Sequence, residues 1–336
     1  MDFQLQHIYL PYEPVRCSEP LLLLQTQIHA VPEQLHLHRL TDTHHVFYLA
    51  DAAITTSLAR KKAAKDIAAI RLAFPRVYDD KIVLAMATWF ALLCTVDDAV
   101  EKLAVSAAEL AIAQSIATLE KSMRPGKPRK PSFYDPSCFA DDIQRVSAVI
   151  KAFVSQMRGL LPERAYIAFI AAIINVLQGI SAERVYRELG DIDEQTYINI
   201  RLRTVGLQPF FVLLSHTFRV ASCEASAGSL LMVLESSLAL AVGLQNDILG
   251  LSKDLQLGEI CNFVILDSQR SGHGFDSSLG KAVRMHNAAV EEAVDSWAKL
   301  TEHCGSSCGL SSYADSILGF AATHFVWASS AERYAV

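Results

Sequence analysis

Charge is scarce in this chain, and charge of the basic kind is not in excess. Lys, Arg, Asp and Glu make up 20% of its 336 residues, with a net charge of −6 and a pI near 6.0. That balance argues against a nucleic-acid partner, because such proteins present a basic stripe. The one basic run, "KSMRPGKPRKP" (121–131), is broken by three prolines and reads as a solvated loop. The opening residues, "MDFQLQHIYLPYEP", contain no basic stretch leading into an apolar one, so no secretory leader and a cytoplasmic location are expected. Apolar runs such as "TVGLQPFFVLLSHTF" (204–218) stop short of a span and contain Pro209, so no membrane insertion is expected. Seven cysteines, an odd number, point to reduced thiols rather than a disulfide framework. Zinc-type ligands occur in "HLH" (36–38), "HH" (44–45) and "HCGSSC" (303–308), but not as paired clusters at structural zinc spacing.

What the chain does have is apolar residues, 51% of the total, enough to bury a large core. They recur every three or four positions in 81–104, 141–160, 163–188, 226–256 and 279–302, the period of an amphipathic or buried helix. No set of alternating strands is visible. Breaks fall at Pro75, in the proline-rich stretch 124–136, at Gly190–Asp193, at 268–278 and at 304–309. With no internal repeat and no shift of composition, residues 1–336 read as a single all-α domain of roughly ten or more helices. Several of these helices lack a strongly polar face and must be surrounded by protein, so the bundle is expected to enclose an apolar cavity.

Two acidic clusters interrupt this apolar character. In "LLCTVDDAVE" (92–101), Asp97 and Glu101 share a helical face, and Asp98 lies about 100° round from Asp97. Carboxylates near a helix C-terminus meet the unfavourable end of the macrodipole and repel one another. A hard cation such as Mg²⁺ would offset that cost and bridge to phosphate oxygens. In "NDILGLSKD" (246–254), Asn246, Gly250 and Asp254 fall at i, i+4 and i+8 with Lys253 beside them, which suits a second metal and diphosphate contact. The competing reading of both is a solvated helix end, with Lys102 pairing locally in the first and Asp247 as the exposed acid of the second.

Together the clusters resemble the two metal motifs of class I terpene synthases of the microbial sesquiterpene cyclase type. "DDAVE" is similar to the aspartate-rich DDxx(D/E) motif, and "NDILGLSKD" to the ND(L/I/V)x(S/T)xxKE motif, in the family's order. The approach to the first motif (67–101), with its Phe-Pro turn and a helix carrying Trp, follows the same pattern. So do "ERVYRELGDIDEQTYINIRLRTVG" (183–206) and the ending "WASSAERY" (327–334). Two positions depart from it: Gly250 stands where a Ser or Thr ligand is usual, and Asp254 where Glu is usual.

The resemblance implies a class I helical bundle that ionises a prenyl diphosphate, farnesyl diphosphate first and geranylgeranyl diphosphate second, and cyclises the cation. It implies three Mg²⁺ ions held by Asp97, Asp98, Glu101, Asn246 and Asp254, and a diphosphate bound by Arg201, Lys253, Arg333 and Tyr334. An effector turn is expected at Val205–Gly206, where glycine permits a break in the helix. Aromatic faces stabilise cations without attacking them, so Phe90, Phe210, Phe211, Phe320 and Trp327 are candidates for the cavity wall. Homodimers are common among similar enzymes. A chain-elongating prenyltransferase or a squalene-type condensing enzyme would carry a second aspartate-rich motif in place of the Asn type. A non-catalytic helical interaction protein would not need both clusters.

The implied role of the C-terminus can be tested by truncation after Glu332. Removing Arg333 and Tyr334 is expected to leave the melting temperature within a few degrees of the full chain while diphosphate release from farnesyl diphosphate nearly ceases. Turnover at the full-length rate would show that these two residues have no part in ionisation.

Overall fold

The apolar-periodic segments fold as helices whose ends follow local chemistry. A computed structural model describes residues 4–11, 16–25, 34–124, 141–189, 192–220, 225–304 and 309–330. Among these residues lie twelve helices: α1 (Gln34–Tyr48), α2 (Thr56–Ala73), α3 (Asp80–Val100), α4 (Val105–Ser122), α5 (Asp141–Met157), α6 (Glu163–Leu189), α7 (Glu194–Thr204), α8 (Gln208–Thr217), α9 (Ala225–Leu257), α10 (Phe263–Ser271), α11 (Phe275–Cys304) and α12 (Gly309–Ser330). The body is therefore the all-helical bundle expected. Oxygen side chains cap several N-termini: Thr55 for α2, Asp79 for α3, Asp193 for α7 and Asn262 for α10 each accept a first-turn N–H. The helix expected over 81–104 stops at Val100, and the break expected over 268–278 narrows to Gly272–Gly274, because α10 continues to Ser271 before Gly272 ends it at φ 68°.

Ahead of the bundle is an element the sequence reading did not foresee, an antiparallel hairpin of β1 (Gln4–Pro11) and β2 (Arg16–Gln25), with Leu5 opposite Leu24 and Ile8 opposite Leu21. Leu21 to Leu24 of β2 are all buried, so both faces of the strand are covered. A short continuous apolar run of this kind carries no periodicity that separates strand from helix, which is why it escaped notice. The strand lies along α11. The Leu22 N–H donates to Asn287 Oδ1 at 2.7 Å, and Asn287 Nδ2 donates to the Pro20 carbonyl at 3.0 Å. One side-chain amide thus meets the strand's donor and acceptor as a neighbouring strand would.

Two helices set the stage for the site. From Ile82 to Trp89 every residue of α3 is buried, with α1, α2, α5 and α8 packed around it. The long α9 packs on α7, α10, α11 and α12. The hydrophobic core forms two clusters, a large one drawing on β2, α1 to α6, α8, α9, α11 and α12 and a smaller one joining β2, α7, α9, α10, α11 and α12, with Leu240 of α9 packed against both.

Contrary to the expectation from shorter runs, Asp80–Val100, Glu163–Glu188 and Ala227–Leu257 are long and apolar enough to cross a membrane by length and composition. Buried shares of 67%, 56% and 50% in their most apolar windows show how much of that surface is spent on packing within the bundle.

Candidate active site

The C-terminal end of α3 and the second half of α9 border one cavity. Asp97 and Glu101 line it from one side, Asn246, Gly250, Lys253 and Asp254 from the other, and Arg201 from α7. The two clusters, far apart in sequence, therefore meet. Asp98 is not on this wall: it is solvent-exposed on the adjacent face of α3, as its offset of about 100° requires. Arg333 and Tyr334 lie outside the described residues.

On the α9 side, the reading that made Asp247 an exposed acid is overturned, since this residue is 1% exposed. Its carboxylate accepts hydrogen bonds from the Tyr197 hydroxyl at 2.6 Å, from the Arg201 guanidinium and, at 3.4 Å, from the Phe263 N–H. Burial pushes its pKa up to about 6, against the pull of Arg201 and Tyr197 in the other direction. The stem of Arg201 runs across Gly243, where a Cβ would stand 3.0 Å from Arg201 Cγ, so α7 and α9 approach closely enough for the ion pair. Asn262 completes the arrangement. Its Nδ2 donates to the Asp247 carbonyl at 2.7 Å and to Asp254 Oδ2 at 2.8 Å, while its Oδ1 caps α10.

Asp254 explains how the chain lives with Gly250. A Cβ at Gly250 would stand 3.2 Å from Asp254 Oδ2, so the carboxylate folds back into the space that a Ser or Thr side chain would fill. The shorter acid, held by Asn262, carries its oxygen towards the vacant position.

At the α3 side an ion cluster adjoins the rim. Arg187 lies 3.2 Å from Glu183, 2.8 Å from Glu259 and 3.9 Å from Glu101. Burial alone would lower the guanidinium's pKa, but these three carboxylates hold it above its usual value. Glu183 and Arg187 belong to the stretch 183–206 singled out in the sequence. Glu259 and Cys261 carried no sequence signal, because only the fold brings them beside α6. Burial pushes the Cys261 thiol up to about 12, so it stays protonated.

Aromatic rings form the deeper wall. Phe90, Phe210, Phe320 and Trp327 all line the cavity, as expected. Phe211 does not, being buried in the main core one position further round α8. Phe74, from the Phe-Pro turn, stacks on Phe320 at 5.3 Å and meets Phe210 at a tilt at 5.5 Å, backing the wall. His324, which the sequence reading missed, sits between Phe320 (5.6 Å) and Trp327 (6.0 Å), and Trp327 meets Phe90 edge-on at 5.4 Å. The Val205–Gly206 turn breaks the chain where expected: Val205 lines the cavity, and Gly206 has φ 73°. The Trp89 indole donates to the Gly206 carbonyl at 3.0 Å, and a Cβ there would stand 2.5 Å from Leu93 Cδ2, so the turn is pressed directly onto α3.

The donor set fits a hard cation that arrives with phosphate. Carboxylate and amide oxygens reach the cavity from two helices, and Asp254 occupies the room left at Gly250. Among the described residues no three His, Cys, Asp or Glu side chains converge into a cage of their own. The carboxylate and amide oxygens on the two helices suit a hard divalent cation that completes its shell with water and substrate phosphates. Of the zinc-type residues flagged in the sequence, His44 is a core residue bonded to Asp66 at 3.0 Å, and residues 305–308 lie outside the described residues.

The fold is shared by several solved enzymes. Linalool/nerolidol synthase from Streptomyces clavuligerus, solved in complex with 2-fluorogeranyl diphosphate, is 17% identical, with 89% of this chain and 100% of that chain covered at a TM-score of 0.63. Hedycaryol synthase in complex with nerolidol is 16% identical over 90% of this chain and 97% of that one, at a TM-score of 0.65. The corresponding values for α-eudesmol synthase are 16%, 91%, 99% and 0.63. No curated protein matches the chain. Residues 88–292, more than half of the chain, match the family described as terpene synthase family 2, C-terminal metal binding. The chain belongs to that family, and is accordingly a terpene synthase, a lyase acting on prenyl diphosphates.

The Gly250 arrangement generates a prediction. Gly250→Ser should displace the Asp254 carboxylate by a few tenths of an ångström or more and supply a hydroxyl oxygen in its place. The expected result, read by isothermal titration, is Mg²⁺-dependent diphosphate binding within about tenfold of the original, because one oxygen replaces another. A folded variant with no Mg²⁺-dependent binding would show that Asp254 needs glycine beneath it.

Proposed function

We propose that this terpene synthase is a Mg²⁺-dependent cyclase whose substrate is a linear prenyl diphosphate, farnesyl diphosphate in the first place, and whose product is a sesquiterpene. The observation that carries the reading is the meeting of Asp97 and Glu101 with Asn246, Asp254, Lys253 and Arg201 at one end of a cavity whose other end is aromatic. The linalool/nerolidol synthase bound to 2-fluorogeranyl diphosphate supports the substrate class, and hedycaryol synthase bound to nerolidol supports a sesquiterpene skeleton. Geranylgeranyl diphosphate is the alternative substrate. Chain elongation is disfavoured by the Asn-type second motif. Residues 1–336 are taken as one catalytic unit working in the cytoplasm.

Asp97 and Glu101 present oxygens from α3, and Asn246 and Asp254 from α9, as ligands for three ions. When bound, Mg²⁺ neutralises the charge that develops on the leaving diphosphate. Arg201 and Lys253 donate hydrogen bonds to the diphosphate oxygens, shorter and stronger for being charge-assisted. Arg201 reaches the substrate while Asp247 holds its guanidinium, so the residue is oriented before the substrate arrives. The Val205–Gly206 turn couples Arg201 to α3 through Trp89. The apolar wall excludes water from the allylic cation, and the faces of Phe90, Phe210, Phe320 and Trp327 stabilise it.

Gas chromatography–mass spectrometry of products from geranyl, farnesyl and geranylgeranyl diphosphates, each with and without Mg²⁺, tests the reading. A cyclic sesquiterpene from farnesyl diphosphate alone, only with Mg²⁺, is expected. Asp97→Ala and Asn246→Ala should each lower turnover at least about a hundredfold with the helical circular-dichroism signal intact. Full activity in either variant, or product that forms only with a second prenyl substrate, would contradict it.

A further inference from the structure

A chain of four side-chain groups connects strand β2 to the cavity wall. Asn287 of α11 meets the strand, His286 Nδ1 lies 3.1 Å from Asn287 Oδ1, Gln245 Nε2 lies 3.0 Å from His286 Nε2, and His324 Nδ1 lies 2.8 Å from Gln245 Oε1. His286, Gln245 and His324 are all buried. The direction of every bond follows from the strand end. A backbone N–H can only donate and a carbonyl can only accept, so Leu22 and Pro20 fix which end of the Asn287 amide is oxygen. His286 must then carry its proton on Nδ1, to donate to that oxygen. Its Nε2 is left as a lone pair, which accepts from Gln245 Nε2. Gln245 Oε1 therefore faces His324 and can only accept, so His324 carries its proton on Nδ1 and keeps its lone pair on Nε2. Among the described residues no group hydrogen-bonds to that Nε2. His324 lines the cavity, and its Nδ1 is the ring nitrogen engaged by Gln245.

We propose that His324 presents an unprotonated Nε2 to the bound hydrocarbon and accepts the proton whose loss ends the reaction, with Gln245, His286 and Asn287 as the residues that hold its tautomer. This rests on the cyclase reading above. In the step, a C–H bond next to the cationic carbon breaks, its electron pair becomes the new C=C bond, and the proton passes to Nε2. The imidazolium formed is balanced by the released diphosphate, and its charge lies between the rings of Phe320 and Trp327. Burial, with the positive charge of Arg201 adding to it, pushes His324 down to about 3, and burial pushes His286 down to about 4, so both are neutral before the reaction. So low a basicity is sufficient here, because a carbocation is a far stronger acid than imidazolium. It also lets the product site shed the proton once it opens to water. The N-terminal hairpin thereby acquires a chemical purpose, since its backbone sets the polarity of the chain.

Two measurements test this, one of which is independent of turnover. In ¹⁵N NMR of the full chain, with the His324 signal assigned by its loss in His324→Phe, the protonated nitrogen should be Nδ1; an Nε2–H tautomer would overturn the proposal. With farnesyl diphosphate, the share of the deprotonated olefin among the products should fall at least about tenfold in His324→Phe. Asn287→Leu should shift the profile in the same sense, and Asn287→Asp, which keeps the accepting oxygen, should restore it. An unchanged profile in His324→Phe and Asn287→Leu would overturn the proposal, as would an unmodified enzyme that yields only a water-quenched alcohol. Release of no diphosphate from any prenyl substrate would instead overturn the cyclase reading, and the tautomer assignment would stand apart from that result.

Discussion

The buried ion pair of Arg201 and Asp247 is the constraint on which the site depends. Removing one partner of such a pair leaves an uncompensated charge in the interior at a cost of about 3–5 kcal/mol. Here Tyr197 and Phe263 supply the further hydrogen bonds that a buried carboxylate needs. Because Asp247 follows Asn246 on the same helix, the two side chains diverge by about 100°. Pinning Asp247 towards α7 and α10 therefore turns Asn246 towards the cavity. The same contact holds α7 against α9, and so places the Val205–Gly206 turn on Trp89 of α3. One interaction thus relates the two helices that carry the proposed metal ligands.

The cavity divides its chemistry by depth. Its polar end is held by charges that satisfy one another: Arg187 gathers Glu183, Glu259 and Glu101, and Asn262 ties Asp254 to the backbone of α9. The other end offers rings, and His324 among them is kept neutral by burial. Charge is thereby confined to the place where a diphosphate would leave, and the hydrocarbon meets surfaces that stabilise a cation without quenching it.

Much of this was legible in the sequence, and the parts that were not share a cause. The helices of the bundle announced themselves by period, and Asp97, Glu101, Asn246, Lys253, Asp254 and Arg201 by motif. Asp98 was carried along with the motif although its angular offset already placed it on another face. Phe210 and Phe211 could not be told apart until α8 was docked. The burial of Asp247 depends on Tyr197, fifty positions earlier, and the exposed reading was the natural one for a lone acid. His324 and Gln245 were invisible because their meaning lies in a chain of contacts that spans residues 20 to 324. The β2 strand was missed because four consecutive leucines have no period to read.

In the proposed enzyme, α3 and α9 hold metal and diphosphate between them. Crystals grown with Mn²⁺, which prefers the same oxygen ligands as Mg²⁺, and with inorganic diphosphate would test it through the anomalous signal of the manganese. The expected map has metal within about 2.0–2.3 Å of an Asp97 oxygen and, separately, of Asn246 and Asp254 oxygens, with the diphosphate between them in contact with Arg201. Manganese bound to only one of the two helices, or a diphosphate seated away from Arg201, would contradict the claim.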